Sequence, residues 1–133
     1  MGAMQRRKGA KGEREFLNKL SELMGIEKLG RNLTQTRSGG CDCIELPGLA
    51  IEVKRAKKPL FTQWMNQAIE NAETLGCVPI LAYRLDRQEW NIKAPLSWVA
   101  PAIYSTSEVW VTMNLAGFVE ILERKEIRPA EAA

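Results

Sequence analysis

The sequence predicts a single α/β domain, a central mixed sheet of about five strands flanked by helices, and three observations carry that prediction. Its 133 residues are enough for one compact core but hardly two. Segments with helical and strand periodicity follow one another as helix, three strands, helix, two strands, then strand and helix. No repeat, low-complexity segment or interior linker divides them, and 45% hydrophobic with 26% charged residues is an ordinary globular balance.

Phe16, Leu17, Leu20, Leu23 and Met24 recur at helical spacing, which predicts a first helix over about Lys8 to Met24, stopped at Gly25, with Glu13, Arg14, Asn18 and Lys19 facing outward. Asn32 to Thr36 reads as a short strand, followed by a turn at Ser38, Gly39 and Gly40. Two apolar runs, Cys41 to Leu46 and Leu49 to Val53, are joined by Pro47 and Gly48. A Pro-Gly pair between extended runs predicts a hairpin, with Gly supplying the positive φ. After Pro59, the residues Trp64, Gln67, Ala68, Asn71, Ala72 and Leu75 fall in helical register up to Gly76. Val78 to Tyr83 and Trp90 to Ala94 read as strands with a turn at Asp86 to Gln88. Pro95 and Pro101 punctuate an irregular stretch, Val109 to Met113 alternates as a last strand, and Asn114 can cap a terminal helix reaching about Lys125.

The chain contains no histidine, which removes serine and cysteine hydrolases of the triad type, nucleases with a histidine base and histidine-ligated zinc enzymes. Carboxylate and lysine chemistry remains. Three cysteines suggest no disulfide framework, and Cys41 and Cys43, sharing one strand face, read as small apolar side chains packing inward. No apolar run approaches a bilayer span and the basic start lacks a signal-peptide core, so a cytoplasmic protein without a membrane partner is expected. Net charge is only +3, but Arg6, Arg7, Lys8 and Lys11 crowd the start and Lys54, Arg55, Lys57 and Lys58 follow one apolar run. Such local clusters fit a polyanionic partner; a solvated face is the plain alternative.

Within the expected hairpin, Asp42 stands near the start of one strand and Glu52 and Lys54 near the end of its partner. Side chains alternate, so Glu52 and Lys54 share a face and Val53 points away. Two carboxylates and an ammonium then converge. Carboxylates that close repel unless a cation lies between them, and a hard divalent ion, Mg2+ or Mn2+, suits them with the Val53 backbone carbonyl as a further ligand. Such an ion polarises a phosphate and lowers the pKa of bound water, while Lys54 can orient or deprotonate that water or neutralise charge on the phosphorane. By itself, a carboxylate and lysine two residues apart is common surface decoration.

The wider spelling is more specific. Gly39-Gly40-Cys41-Asp42, Leu46-Pro47-Gly48 and Ile51-Glu52-Val53-Lys54-Arg55 follow in the order of the PD-(D/E)XK nucleases, which the chain resembles over roughly residues 6–94. Gly40-Cys41 stands where a proline often precedes the aspartate. Lys8-Gly9-Ala10-Lys11-Gly12-Glu13-Arg14 is similar to a segment of archaeal Holliday junction resolvases. A phage-type subgroup is resembled through Arg31-Asn32-Leu33, Gln35, the Trp64 to Gln67 segment, Pro79 to Arg84 and Trp90. The resemblance implies a restriction-endonuclease-like core and a metal-dependent DNA endonuclease. It implies Glu13 rather than Glu15 as a third metal carboxylate, and Gln67, with Gln63 as competitor, as the site glutamine. Residues 1–5 are then a disordered or expression-derived start, 6–94 the nuclease core, 95–128 a C-terminal extension and 129–133 a disordered tail.

Lys8, Arg31, Arg37, Arg55, Lys57, Lys58 and Arg84 are the expected DNA-phosphate contacts, with Arg84 the nearest to the site unless it pairs with Glu70 or Glu73. Trp64, Trp90, Trp98 and Trp110 read as packing residues. Two symmetric cuts in a four-way junction need two sites, so a homodimer is expected. Val109, Val111, Leu115, Phe118, Ile121 and Leu122 would form its interface or close the core. A nuclease for flaps, nicked or linear duplex, and a non-catalytic nucleic-acid-binding module, are the competing functions.

Overall fold

The computed structural model describes residues 3–27, 46–106 and 108–129, with side chains from residue 9 onward except residue 10. Helix α1 (Ala3–Met24) leads to β1 (Leu49–Ala56), α2 (Phe61–Leu75), β2 (Val78–Leu85), β3 (Asn91–Pro95), the one-turn helix α3 (Leu96–Val99), β4 (Trp110–Asn114) and α4 (Leu115–Arg124). Among the described residues the sheet has four strands in the order β1-β2-β3-β4. β1 and β2 are parallel, while β3 and β4 continue antiparallel, so the sheet is mixed as expected. The expected strands over 32–36 and 41–46, Cys41 and Cys43, and the tail from 130 lie outside the described residues or, at Leu46, in a turn.

Pro47 and Gly48 do form a turn, although the strand that would make it a hairpin lies outside the described residues. Leu49 N–H donates to the Leu46 carbonyl at 3.3 Å, and Gly48 holds φ 82°, a value glycine takes without the Cβ penalty. The Gly48 carbonyl then accepts from Val78 N–H at 2.8 Å, opening the β1–β2 ladder at its first rung.

Alternation along β1 divides the sheet into two faces. Leu49, Ile51 and Val53 join Ile80, Ala82, Ile92 and Ala94 beneath α1 and α4, whose Phe16, Leu17, Leu20, Phe118 and Leu122 complete the main core. Phe16 meets Trp90 with ring centroids 5.2 Å apart. Burying a side chain as large as Phe118 completely contributes about 1.5–3 kcal/mol. The other face of the sheet belongs to α2. Its Trp64, Ala68 and Ala72 form the buried stripe, with Trp64 packed on Leu81 and Tyr83, and with Ala72 on Ala50. Small residues at two of the three stripe positions let α2 lie close to the strands.

Several expectations change. Helix α1 reaches back to Ala3, beyond the expected start at Lys8. Glu13, expected on its outward face, is buried. The irregular stretch after Pro95 begins with α3, for which Pro95 is the extended N-cap residue. The terminal elements fall as read: the Asn114 side chain accepts from Gly117 N–H at 2.7 Å, a cap contributing about 1 kcal/mol. Leu115, Phe118 and Leu122 close the core, while Val109 is exposed. Among the described residues no helix is long and apolar enough to cross a membrane.

Candidate active site

β1 is buried along its first five residues, and one of the five is a carboxylate. Glu52 is 6% exposed in a strand otherwise lined by alanine, isoleucine, leucine and valine, a placement costly for a charge unless its surroundings hold it. Glu52 and Lys54 both point to the α2 face, beside Leu81 and Tyr83 in the neighbouring strand. Burial against this apolar floor raises the Tyr83 phenol above its ordinary 10.0.

Helix α2 meets the pair with two amides. Gln67 and Asn71 each precede a buried alanine, Ala68 and Ala72, and so lie about 100° around the helix from the buried stripe. Lys54 Nζ donates to Gln67 Oε1 at 2.7 Å, and Asn71 Nδ2 donates to Glu52 Oε2 at 3.0 Å. Lys54 Nζ and Glu52 Oε1 are 3.8 Å apart, so the ammonium is tied first to the amide and only secondarily to the carboxylate. Of the expected site residues, Glu52, Lys54 and Gln67 thus come together. Gln63, the competitor, is exposed and lines an open depression of about 850 Å³ with Pro59, Leu60, Asn66 and Gln67. A cavity of about 470 Å³ between the end of α2 and Trp98 and Trp110 contains none of the cluster.

Asn71 is the member that sequence reasoning missed. Its position four residues after Gln67 in one helix is the signal that could have found it, since such residues share a face.

The opposite face of the same strands holds a different arrangement. Arg55 and Arg84 are register partners pointing toward α1. Glu15 bonds Arg84 Nη1 through Oε1 and stands 3.8 Å from Arg55 Nε through Oε2. Arg55 Nη1 also binds Asp86 Oδ1 at 2.9 Å, and Arg84 Nε donates to the Gln88 carbonyl at 2.6 Å. Arg84 therefore pairs with neither Glu70 nor Glu73, and lies across the sheet from Lys54. Helix α1 approaches closely here because residue 12 is glycine: a Cβ on Gly12 would fall 2.9 Å from the Arg55 Cβ.

Glu13, next to Gly12, is 8% exposed on α1. Lys57 and Lys58 are exposed just beyond β1. The Val53 side chain joins the core. Asp42, Arg31, Arg37 and the Lys8 side chain lie outside the described residues. Among those described, no three carboxylate, cysteine or histidine side chains are grouped to hold a metal ion. The buried carboxylates of Glu13 and Glu52 are hard oxygen donors, chemically suited to Mg2+ or Mn2+ rather than to soft metals.

The chain is similar in fold to Archaeoglobus fulgidus Hjc, a Holliday junction resolvase from an archaeal hyperthermophile. The TM-score is 0.46 and the identity 21%, over 84% of this chain and 88% of that one. No family model and no curated protein matches the chain.

Proposed function

We propose that this chain is a Mg2+- or Mn2+-dependent endonuclease that hydrolyses phosphodiester bonds in DNA, with four-way junctions as its substrate. The observation that carries the reading is the meeting of Glu52, Lys54 and Gln67. These three residues, marked by their order in the sequence, meet at Lys54, whose Nζ donates to Gln67 on α2 and stands 3.8 Å from Glu52 on the same strand face. Glu52, with Glu13, Asp42 and the Val53 carbonyl, would hold the ion. When bound, the ion supplies a Lewis acid for the phosphate and acidifies a water.

The chain's own groups do the rest. Gln67 accepts from Lys54 Nζ and fixes the end of a flexible side chain, leaving its other protons for a phosphate oxygen or the attacking water. The attacking water gives up a proton to solvent as its oxygen bonds to phosphorus, the bond to the leaving sugar oxygen breaks, and that oxygen takes a proton back from solvent.

The exposed Lys57 and Lys58 and the open depression beside Gln67 offer the duplex a path along this face. Lys8, Arg31 and Arg37 would add phosphate contacts. Two symmetric cuts require two copies, so the active form is a homodimer, acting in the cytoplasm of a bacterial or archaeal host.

Product mapping on a four-way junction and on linear duplex, with Mg2+, Mn2+ or Ca2+, tests the reading. Paired symmetric nicks in the junction with Mg2+ or Mn2+, lost in Asp42→Asn while junction binding in Ca2+ persists, are expected. Cutting confined to linear duplex would overturn the junction assignment. Binding without cutting under every metal would make the chain a DNA-binding module.

A further inference from the structure

We propose that Asn71 is a positioning residue for Glu52, holding one carboxylate oxygen so that the other faces Lys54 and an incoming divalent ion; this rests on the metal-dependent reading above. The hydrogen bond is direct, Asn71 Nδ2 to Glu52 Oε2 at 3.0 Å, and it engages the oxygen that Lys54 does not approach. A carboxylate has about four lone-pair sites, and the Asn71 amide takes up one of them, on Oε2. The donor is also neutral. It orients Glu52 without cancelling the negative charge that a cation would need, whereas a lysine or arginine at position 71 would compete with the ion for it.

The placement is rigid. Asn71 precedes Ala72, which packs against Ala50 two residues before Glu52, so helix and strand are fixed to each other immediately beside the hydrogen bond. The carboxylate conformation is therefore set before any ion arrives, which removes an ordering cost from ion binding.

Mn2+ alone, titrated into the full chain and followed by the electron paramagnetic resonance of the free ion, reads this without any cleavage. Asn71→Leu keeps the side-chain shape and loses the donor; Asn71→Ala leaves space for a water to donate instead. Asn71→Leu should weaken Mn2+ binding about 10- to 100-fold, with Asn71→Ala less affected. Junction cutting should lose kcat with KM for DNA unchanged. A purely structural role would lower the melting temperature and leave Mn2+ affinity alone. Should the leucine variant fail to fold, the alanine variant carries the test. A wild type that binds Mn2+ with both folded variants equal to it overturns the role of Asn71 only. A wild type that binds no Mn2+ overturns the metal-dependent reading with it.

Discussion

Consecutive residues of β1 meet opposite treatment on the two faces of the sheet. On the α1 face, the Arg55 and Arg84 guanidinium groups are matched by the carboxylates of Glu15 and Asp86, so charge is cancelled by charge. On the α2 face, Glu52 and Lys54 are met by the neutral amides of Asn71 and Gln67. Neutralising partners brace α1 to the strand ends and leave little charge for anything else. Glu52 and Lys54 also stand 3.8 Å from each other, but the α2 groups that fix their direction bring no charge of their own. One strand thus carries a structural face and a chemical face, separated by the alternation of its side chains.

The largest expected effect breaks the chemical face. Glu52→Gln or Lys54→Met should reduce junction cutting by about 10²–10⁴-fold, measured by single-turnover cleavage in Mg2+, with the far-ultraviolet circular dichroism spectrum intact. Retained cutting would show that the amide-held pair is not the site. Gly12→Ala probes the structural face. Its new methyl group must displace the Arg55 Cβ, an overpacking cost of about 1–3 kcal/mol against a helix-propensity gain of up to about 1 kcal/mol. Urea denaturation should register a net loss of stability.

Glu15→Gln removes the charge shared by both arginines and should cost about 1 kcal/mol or less, because all three side chains are partly exposed. That loss should shrink at high salt, and cutting should survive; a large loss of cutting would move Glu15 into the machinery. The smallest effect concerns Tyr83. Its folded-state pKa is raised, so its contribution to stability is complete below pH 10.0 and is lost as pH climbs through the raised value. Tyr83→Phe should flatten that alkaline decline in a pH series of thermal melts.

What was legible in the sequence was local chemistry. The turn at Pro47-Gly48, the end of α2 at Gly76 and the Asn114 cap each depend on residues within four positions of one another, and each is present. Gln67 was reachable because motif order stood in for distance. The place of Arg84 was not: it reads as a phosphate contact at the site, or else a partner of Glu70 or Glu73, whereas its carboxylate partner, Glu15, is 69 residues away on the other face of the sheet. Helix α3 has only four residues, too few for periodicity to register. Glu13 looked like part of a polar stripe, and its burial depends on how α1 is seated, which no single segment encodes. Periodicity puts Asn71 in its helix, but its hydrogen bond to Glu52 follows only from where that helix lies over β1.

The seating of α2 on β1 has a metric consequence. Four residues of helix rise about 6 Å and two residues of strand about 6.6 Å. The interval between Gln67 and Asn71 therefore matches that between Lys54 and Glu52, read in the reverse direction. Helix and strand work as two rulers with a common division, and both amides find their partners from a single alignment. Sliding one ruler by a residue would turn both amides away together, so the short connection from Lys57 to Leu60 is, in effect, the gauge that sets the site.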